Sequence, residues 1–214
     1  MELHFYPGQK LLVVKEGGVI KKRVEAWGGP DSPGSDPRMQ EIPTTEGIYV
    51  IHAVRPYSTP SWPMSRIKWG TTLKDMPNKK DVWYKLPGGK WGSVKNDIGI
   101  GRDEIINYYY RLYARRMVPK IWVFNDFGPV AVHFFKDLNN NLKLDKDKGE
   151  RLSGEMIHTT PKNEAQAATG KAVKLMPSHG CIHIKPQDRN ALLGMNAFKS
   201  GTIFVVHKYS EKIK

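Results

Sequence analysis

Six consecutive residues near the carboxyl end, Ser178-His179-Gly180-Cys181-Ile182-His183, bring together a thiol, two imidazoles, a hydroxyl and a glycine. Cys181 is the only cysteine in 214 residues, so it cannot form an intramolecular disulfide. The chemistry such a run offers is nucleophilic. The thiolate is the reactive form, and nearby imidazole or backbone N–H groups make it more accessible. Gly180 removes a side chain beside the sulfur and lets a substrate backbone approach closely. His158, in Ile157-His158-Thr159-Thr160, is the candidate general base. An imidazole in that role needs a partner on its other nitrogen, and Thr159 or a backbone carbonyl is the candidate.

Two other roles compete for the same residues. A free cysteine commonly behaves as a small buried hydrophobe. Ser, His and Gly are poor core filler, however, and glycine inside a strand signals close backbone approach. The second competitor is a metal site built from His158, His179, Cys181 and His183, since imidazole and thiolate are good zinc ligands. Residues 179, 181 and 183 alternate, so along one strand all three would point to the same face. Three ligands that close on one strand fit a tetrahedral site awkwardly, and no Cys-x-x-Cys or His-Glu-x-x-His pattern accompanies them. No metal and no other cofactor is expected.

The run Ser-His-Gly-Cys-Ile with an upstream Ile-His-Thr resembles the signature of the L,D-transpeptidase catalytic domain, the family of bacterial enzymes that cross-link peptidoglycan through a cysteine nucleophile. Pro43-Thr44-Thr45-Glu46-Gly47-Ile48-Tyr49-Val50-Ile51 is similar to that family's Thr-Pro-x-Gly-x-Phe-x-Ile segment. The likeness covers residues 1–54 and 155–208. It implies a mainly β fold with a few helices, a mostly antiparallel β-sandwich-like domain, with Cys181 on a strand or at its start. It also implies acyl transfer on peptidoglycan stem peptides: the thiolate cleaves the bond before the terminal D-residue and passes the acyl group to an amine or to water. On this reading Cys181 is the nucleophile and His158 the base, with Thr159 beside it. The N–H groups of His179, Gly180 and Cys181 form the oxyanion hole, and His179 also shapes the loop. Ser178, His183, Tyr49 and Lys171 are the candidate substrate contacts. Two features depart from the family pattern. His183 stands where Arg or Asn is usual, and it is the candidate reader of a substrate carboxylate. The segment Pro161 to Lys174 lengthens the His-to-Cys spacing and reads as a longer loop over the site. Transpeptidase and L,D-carboxypeptidase both fit, as do a secreted effector acting on another cell's wall and a non-catalytic wall-binding module.

The elements that must position these residues are mostly short strands. Leu3–Tyr6, Gln9–Lys15 and Val19–Glu25 read as strands, the last two joined by a Gly-Gly turn. Gly201–Val206 reads as a closing strand and Pro186–Met195 as a short helix. Residues 1–214 are expected to be one catalytic domain carrying a family-divergent, partly helical insertion over about 55–150. Within it, Trp62, Trp69, Trp83 and Trp91 serve either as core or as a groove for a sugar chain. Ile105, Ile106, Tyr109, Leu112 and Tyr113 recur at helical spacing and predict a helix over Asp103–Met117. Ile121–Phe124 and Ala131–Phe135 read as a strand pair around an Asp126-Phe127-Gly128 turn. Asp137 to Glu150 resembles half of a calcium loop, but Leu142 replaces the required glycine and Lys148 the bidentate glutamate, so a surface loop is the better reading.

The formal net charge of +13 suits an anionic partner, yet Lys and Arg are spread along the chain and no nucleic-acid-binding motif accompanies them. Nucleic acid is therefore not expected; a basic solvated surface is the first reading of the charge and affinity for an anionic wall the second. No stretch approaches the ~20 consecutive apolar residues of a membrane span. Met1-Glu2-Leu3-His4 lacks the basic and apolar regions of a secretory signal. The resemblance implies the periplasm or cell envelope, reached as a trimmed mature domain or by a route without a cleavable signal.

Overall fold

The computed structural model describes residues 1–35 and 40–213. It divides into two compact units. The first comprises residues 1–55, 131–159 and 174–214, and the second residues 56–130 and 160–173.

In chain order the elements are β1 (Glu2–Tyr6), β2 (Leu11–Glu16), β3 (Val19–Trp27), β4 (Gly47–Arg55), β5 (Leu73–Met76), β6 (Asp81–Lys85) and β7 (Trp91–Ser93). Helices α1 (Val94–Ile98) and α2 (Arg102–Tyr113) follow, then β8 (Ala131–Phe135), β9 (Leu152–His158), α3 (Pro161–Ala168), β10 (Ile182–Ile184), α4 (Pro186–Gly194) and β11 (Ile203–Val206).

The first unit is mainly β, as its short alternating runs predict. Its strands pair in the order β1-β11-β4-β8-β9-β10-β3-β2, and β2 returns to β1, so the sheet closes into a barrel. Closure leaves no unpaired edge. Most ladders are antiparallel; β1–β11 and β9–β10 are parallel. The β2–β3 hairpin turns on Gly17 and Gly18, both at positive φ, the backbone that a tight two-residue hairpin demands. Alternation sends Leu3 and Phe5, Phe204 and Val206, and Ile182 and Ile184 into one apolar core, which Leu192 of α4 and Phe198 join.

The second unit holds the three-stranded sheet β5-β6-β7 and the helices α1, α2 and α3. Its core gathers Trp122, Ile67, Val82, Val94, Ile105 and Phe124. Trp69 and Tyr84 pack against that cluster, and Trp91 is exposed. The buried Asn125 amide donates to the carbonyls of Tyr57 (3.0 Å) and Ile67 (2.9 Å). Asp81 accepts from Ser93 Oγ, Trp83 Nε1 and the N–H groups of Val82 and Lys95.

Three local expectations are corrected. Ile121–Phe124 forms no strand beside β8, which pairs with β4 and β9; only a single bridge joins Ile121 to Thr72. The segment is pulled into the core by Trp122, whose Nε1 donates to Met64 C=O at 2.9 Å. Helix α2 stops at Tyr113, because Ala114 enters the left-handed region (φ 55°) and its N–H closes on Tyr110 C=O. Arg115 and Arg116 lie beyond the last turn. The segment after Thr160 opens with α3: Thr160 Oγ1 accepts from Asn163 N–H and Pro161 occupies the first helical position.

The 137–150 segment closes on itself. Asp137 accepts from the Leu142 N–H, and the buried Glu150 carboxylate accepts from the Leu138 and Asp145 N–H groups. No helix among the described residues is long and apolar enough to cross a membrane.

Candidate active site

Two short strands build the site. In β9, Ile157 faces the barrel core, so His158 faces outward; in β10, Ile182 and Ile184 face the core and His183 faces outward. The strands run parallel with Ile157 opposite Ile182 and His158 opposite His183. Register and alternation therefore set two imidazoles side by side on the same face. Their rings meet edge to face at 4.8 Å.

Carbonyl oxygens fix the tautomers of both rings. His158 Nδ1 lies 2.8 Å from the Thr159 carbonyl, and His183 Nδ1 lies 3.0 Å from the Met176 carbonyl. A carbonyl only accepts, so each Nδ1 carries the proton and each Nε2 carries a lone pair. Arg189 of α4 reaches the Thr159 hydroxyl at 3.4 Å.

Cys181 directly precedes β10, and its thiol bonds the backbone of Met156, two residues before His158. The turn leading to it is held from below by Ser178. That hydroxyl donates to the Cys181 carbonyl and accepts from the Gly180 N–H at 3.1 Å, while Ser178 N–H donates to Gly28 C=O at 3.2 Å. Gly180 sits at φ +103°, and a Cβ there would stand 3.1 Å from Glu155 Oε1. The positive φ favours glycine at this point, and the carboxylate beside it leaves little room for a side chain.

Burial sets the charge states. Desolvation drives His158 down to about 3; the neighbouring His183 adds to this, and the Thr159 carbonyl opposes it. His183 is lowered too, first by burial. Burial pushes the Cys181 thiol up to about 11, against the Met156 backbone bond and with the Glu155 carboxylate. The resting site thus holds a neutral thiol beside neutral imidazoles.

The structure rearranges several sequence-derived assignments. His179 is exposed in the turn before β10, and of residues 179, 181 and 183 only His183 lies on that strand. The Gly180 N–H donates to Ser178 Oγ at 3.1 Å. Ser178 is buried, with its hydroxyl engaged inside the turn, which leaves it no face for substrate. His183 packs against the His158 ring, its Nδ1 is held by the Met176 carbonyl, and burial lowers its pKa. Tyr49 is buried against Phe134 and Phe204, with its hydroxyl donating to Thr45 C=O at 3.0 Å. Lys171 lies in the second unit, exposed, its N–H donating to Gln166 C=O. Among the described residues no group of three or more His, Cys, Asp or Glu is placed to hold a metal ion.

Sequence reasoning missed Glu155. Its carboxylate accepts from Thr45 Oγ1 (2.8 Å) and Thr45 N–H (3.0 Å), across 110 positions of sequence. No motif marks it; only the closed barrel brings β9 against the segment before β4.

The chain matches the YkuD family, the L,D-transpeptidase catalytic domain, over residues 5–206, and it belongs to that family. It is similar to an L,D-transpeptidase structure from Xylanimonas cellulosilytica, with 10% identity, a TM-score of 0.41 and coverage of 96% of this chain and 59% of that one. It is similar to an L,D-transpeptidase from Mycobacterium smegmatis, with 15% identity, a TM-score of 0.37 and coverage of 96% and 57%. The chain thus spans under two thirds of the length of either. No curated protein matches it.

Proposed function

We propose that this protein is a cysteine acyltransferase acting on peptidoglycan stem peptides at the cell envelope. Family membership supports the substrate class. The observation that carries the mechanism is the parallel β9–β10 register, which sets the start of β10, and with it Cys181, beside the end of β9, where His158 sits.

As the Cys181 sulfur attacks the carbonyl before the terminal D-residue, its proton passes to His158 Nε2. His158 rests neutral, with a lone pair on Nε2 to take the proton and its Nδ1–H held by the Thr159 carbonyl; burial opposes the charged imidazolium, so the proton moves in step with the attack. The oxyanion is met by the backbone N–H groups of Cys181 and His179; one such donor contributes ~10²–10³ in rate. Collapse breaks the C–N bond, the leaving amine takes the proton from His158, and a thioester remains. An incoming amine or water gives its proton to His158 and attacks the thioester. The sulfur leaves and recovers its proton.

Mass spectrometry of wild type and Cys181→Ala after incubation with disaccharide tetrapeptide tests this. D-Alanine loss with new dimers, in wild type only, is the result expected of a transpeptidase; loss without dimers assigns the hydrolytic variant. Turnover by a folded Cys181→Ala protein would overturn the nucleophile.

A further inference from the structure

The second unit carries a cavity of its own, with a volume of about 610 Å³. Arg66, Lys68 and Lys85 line it, together with the hydroxyls of Ser58 and Thr72 and the ring of Tyr84. No Asp or Glu is among the residues around it. The surroundings do not compensate for this. The unit holds 15 Lys and Arg against 7 Asp and Glu, so it carries eight of the chain's 13 surplus positive charges.

The cations are left unneutralised, and one of them is aimed. Lys68 and Lys85 are exposed, and their ammonium groups meet no carboxylate among the described residues. Arg66 closes the short turn Pro63–Arg66. Its Nε donates to Pro60 C=O at 3.1 Å and its Nη1 to Asp97 C=O at 2.9 Å. Both acceptors are backbone carbonyls, so the guanidinium is fixed in direction while its charge stays and Nη2 keeps its donors for a ligand. The Asp97 carboxylate serves other donors, the Tyr84 hydroxyl at 2.9 Å and the Ser93 N–H at 3.2 Å. That bond pins the Tyr84 ring as one wall of the cavity. Lys85 N–H donates to Thr72 C=O at 2.9 Å, which ties the two residues together. The Ser58 and Thr72 hydroxyls have no partner among the described residues.

A cleft lined by one sign of charge concentrates ligands of the other sign. Arg66 and Lys68 approach from one segment and Lys85 from another, so a ligand that meets all three presents oxygens in several directions. Tetrahedral phosphate does this, whereas a carboxylate has two oxygens in one plane. The hydroxyls and the Tyr84 face suit a polyhydroxylated carbon skeleton, which has both polar edges and C–H faces.

We propose that this cavity binds a phosphate ester of a sugar or polyol, its phosphate on Arg66, Lys68 and Lys85 and its skeleton against Tyr84, Ser58 and Thr72. The ester is either a soluble molecule or the headgroup of a lipid. The proposal does not rest on the acyl-transfer reading, and its test leaves Cys181 untouched.

Calorimetry on the full chain with glycerol 3-phosphate, glycerol and acetate tests binding. Only the phosphate ester should bind saturably. Lys68→Met should weaken it roughly 10–100-fold, the loss expected of one charge-assisted contact. Because Lys68 is exposed and unpaired, that variant should unfold in urea as wild type does, so the loss reads binding and not folding. Lys95→Met removes an equal charge outside the cavity and should change the affinity by no more than about twofold, as a remote screened charge does. Equal losses in the two variants, acetate binding as tightly as the ester, or absence of saturable binding by the ester would overturn the proposal. Cosedimentation with phosphatidylglycerol vesicles, against phosphatidylcholine vesicles, then separates the sources. Vesicle binding that Lys68→Met abolishes and Lys95→Met does not assigns the lipid headgroup. Saturable binding of glycerol 3-phosphate without that vesicle binding assigns the soluble ester.

Discussion

In the barrel the largest fully buried side chains, among them Phe5, Ile51, Phe134 and Phe204, are all apolar, and closed ladders pair the backbone around them. In the second unit the core around Trp122 is threaded by polar side chains. Asn125 and Asp81 satisfy backbone groups that short strands and irregular segments leave unpaired. The difference follows from one rule: buried backbone N–H and C=O groups must be paired, by a ladder where there is one and by side chains where there is not. The barrel unit buries polar side chains too: His158, Thr159 and Ser178 at the site, and Thr44, His133, Glu150 and Thr202 away from it. Titratable imidazole divides in the same way. All seven histidines lie in the barrel unit, and the second unit has none.

The largest effect that sharpens this contrast is expected at Phe204, packed on Tyr49 and Phe134. Phe204→Ala should cost about 3–5 kcal/mol in urea unfolding. A cost below 1 kcal/mol, on the order of a surface substitution, would mean that the barrel core does not hold the unit.

Asn125→Leu, close in size and apolar, leaves two carbonyls and the Phe127 N–H without their partner. At ~1–3 kcal/mol for a buried polar group left unpaired, about 3 kcal/mol should be lost. A neutral result would break the comparison, since apolar packing alone would then hold the second unit too.

Acid should separate the units. The unfolded chain takes up a proton on each histidine below about pH 6.5, whereas His158 resists until about 3 and His133 until about 4. Between those limits the unfolded state binds more protons, so stability falls as pH falls. For the fully buried His158 the loss is about 2 kcal/mol by pH 5. Hydrogen exchange should show barrel amides losing protection before those of β5, β6 and β7, and loss in the opposite order would contradict the assignment.

The smallest effect is at the cap of α3. Thr160→Ala should cost ~1 kcal/mol, read as increased exchange in the first turn of that helix.

Much of the barrel was legible because its strands alternate and its hairpin carries two glycines. Leu3, Phe5, Phe204 and Val206 declare a face without any partner being known. The run around Cys181 stood out because Ser, His and Gly beside a lone cysteine are poor core filler, which points away from a cysteine that merely fills space. Helix α3 was missed although Thr160-Pro161 is a start signal, because a Lys- and Gln-rich segment has little periodicity to read. Ile121–Phe124 misled because a continuous apolar run fits a strand and a buried irregular segment equally. That Ser178 accepts from the Gly180 N–H was not legible, because the bond depends on how the turn before β10 folds back on itself.

The sequence by itself determined that Cys181 stands next to a strand whose isoleucines must face a core, which sends its neighbours at alternate positions outward. Only the tertiary structure decided what meets them there. The parallel register of β9 and β10, set by closure of the barrel, chose His183 as the neighbour of His158 and placed Glu155 against Gly180. Burial then fixed the charges, because desolvation depends on everything packed around a group and on nothing written beside it in the chain.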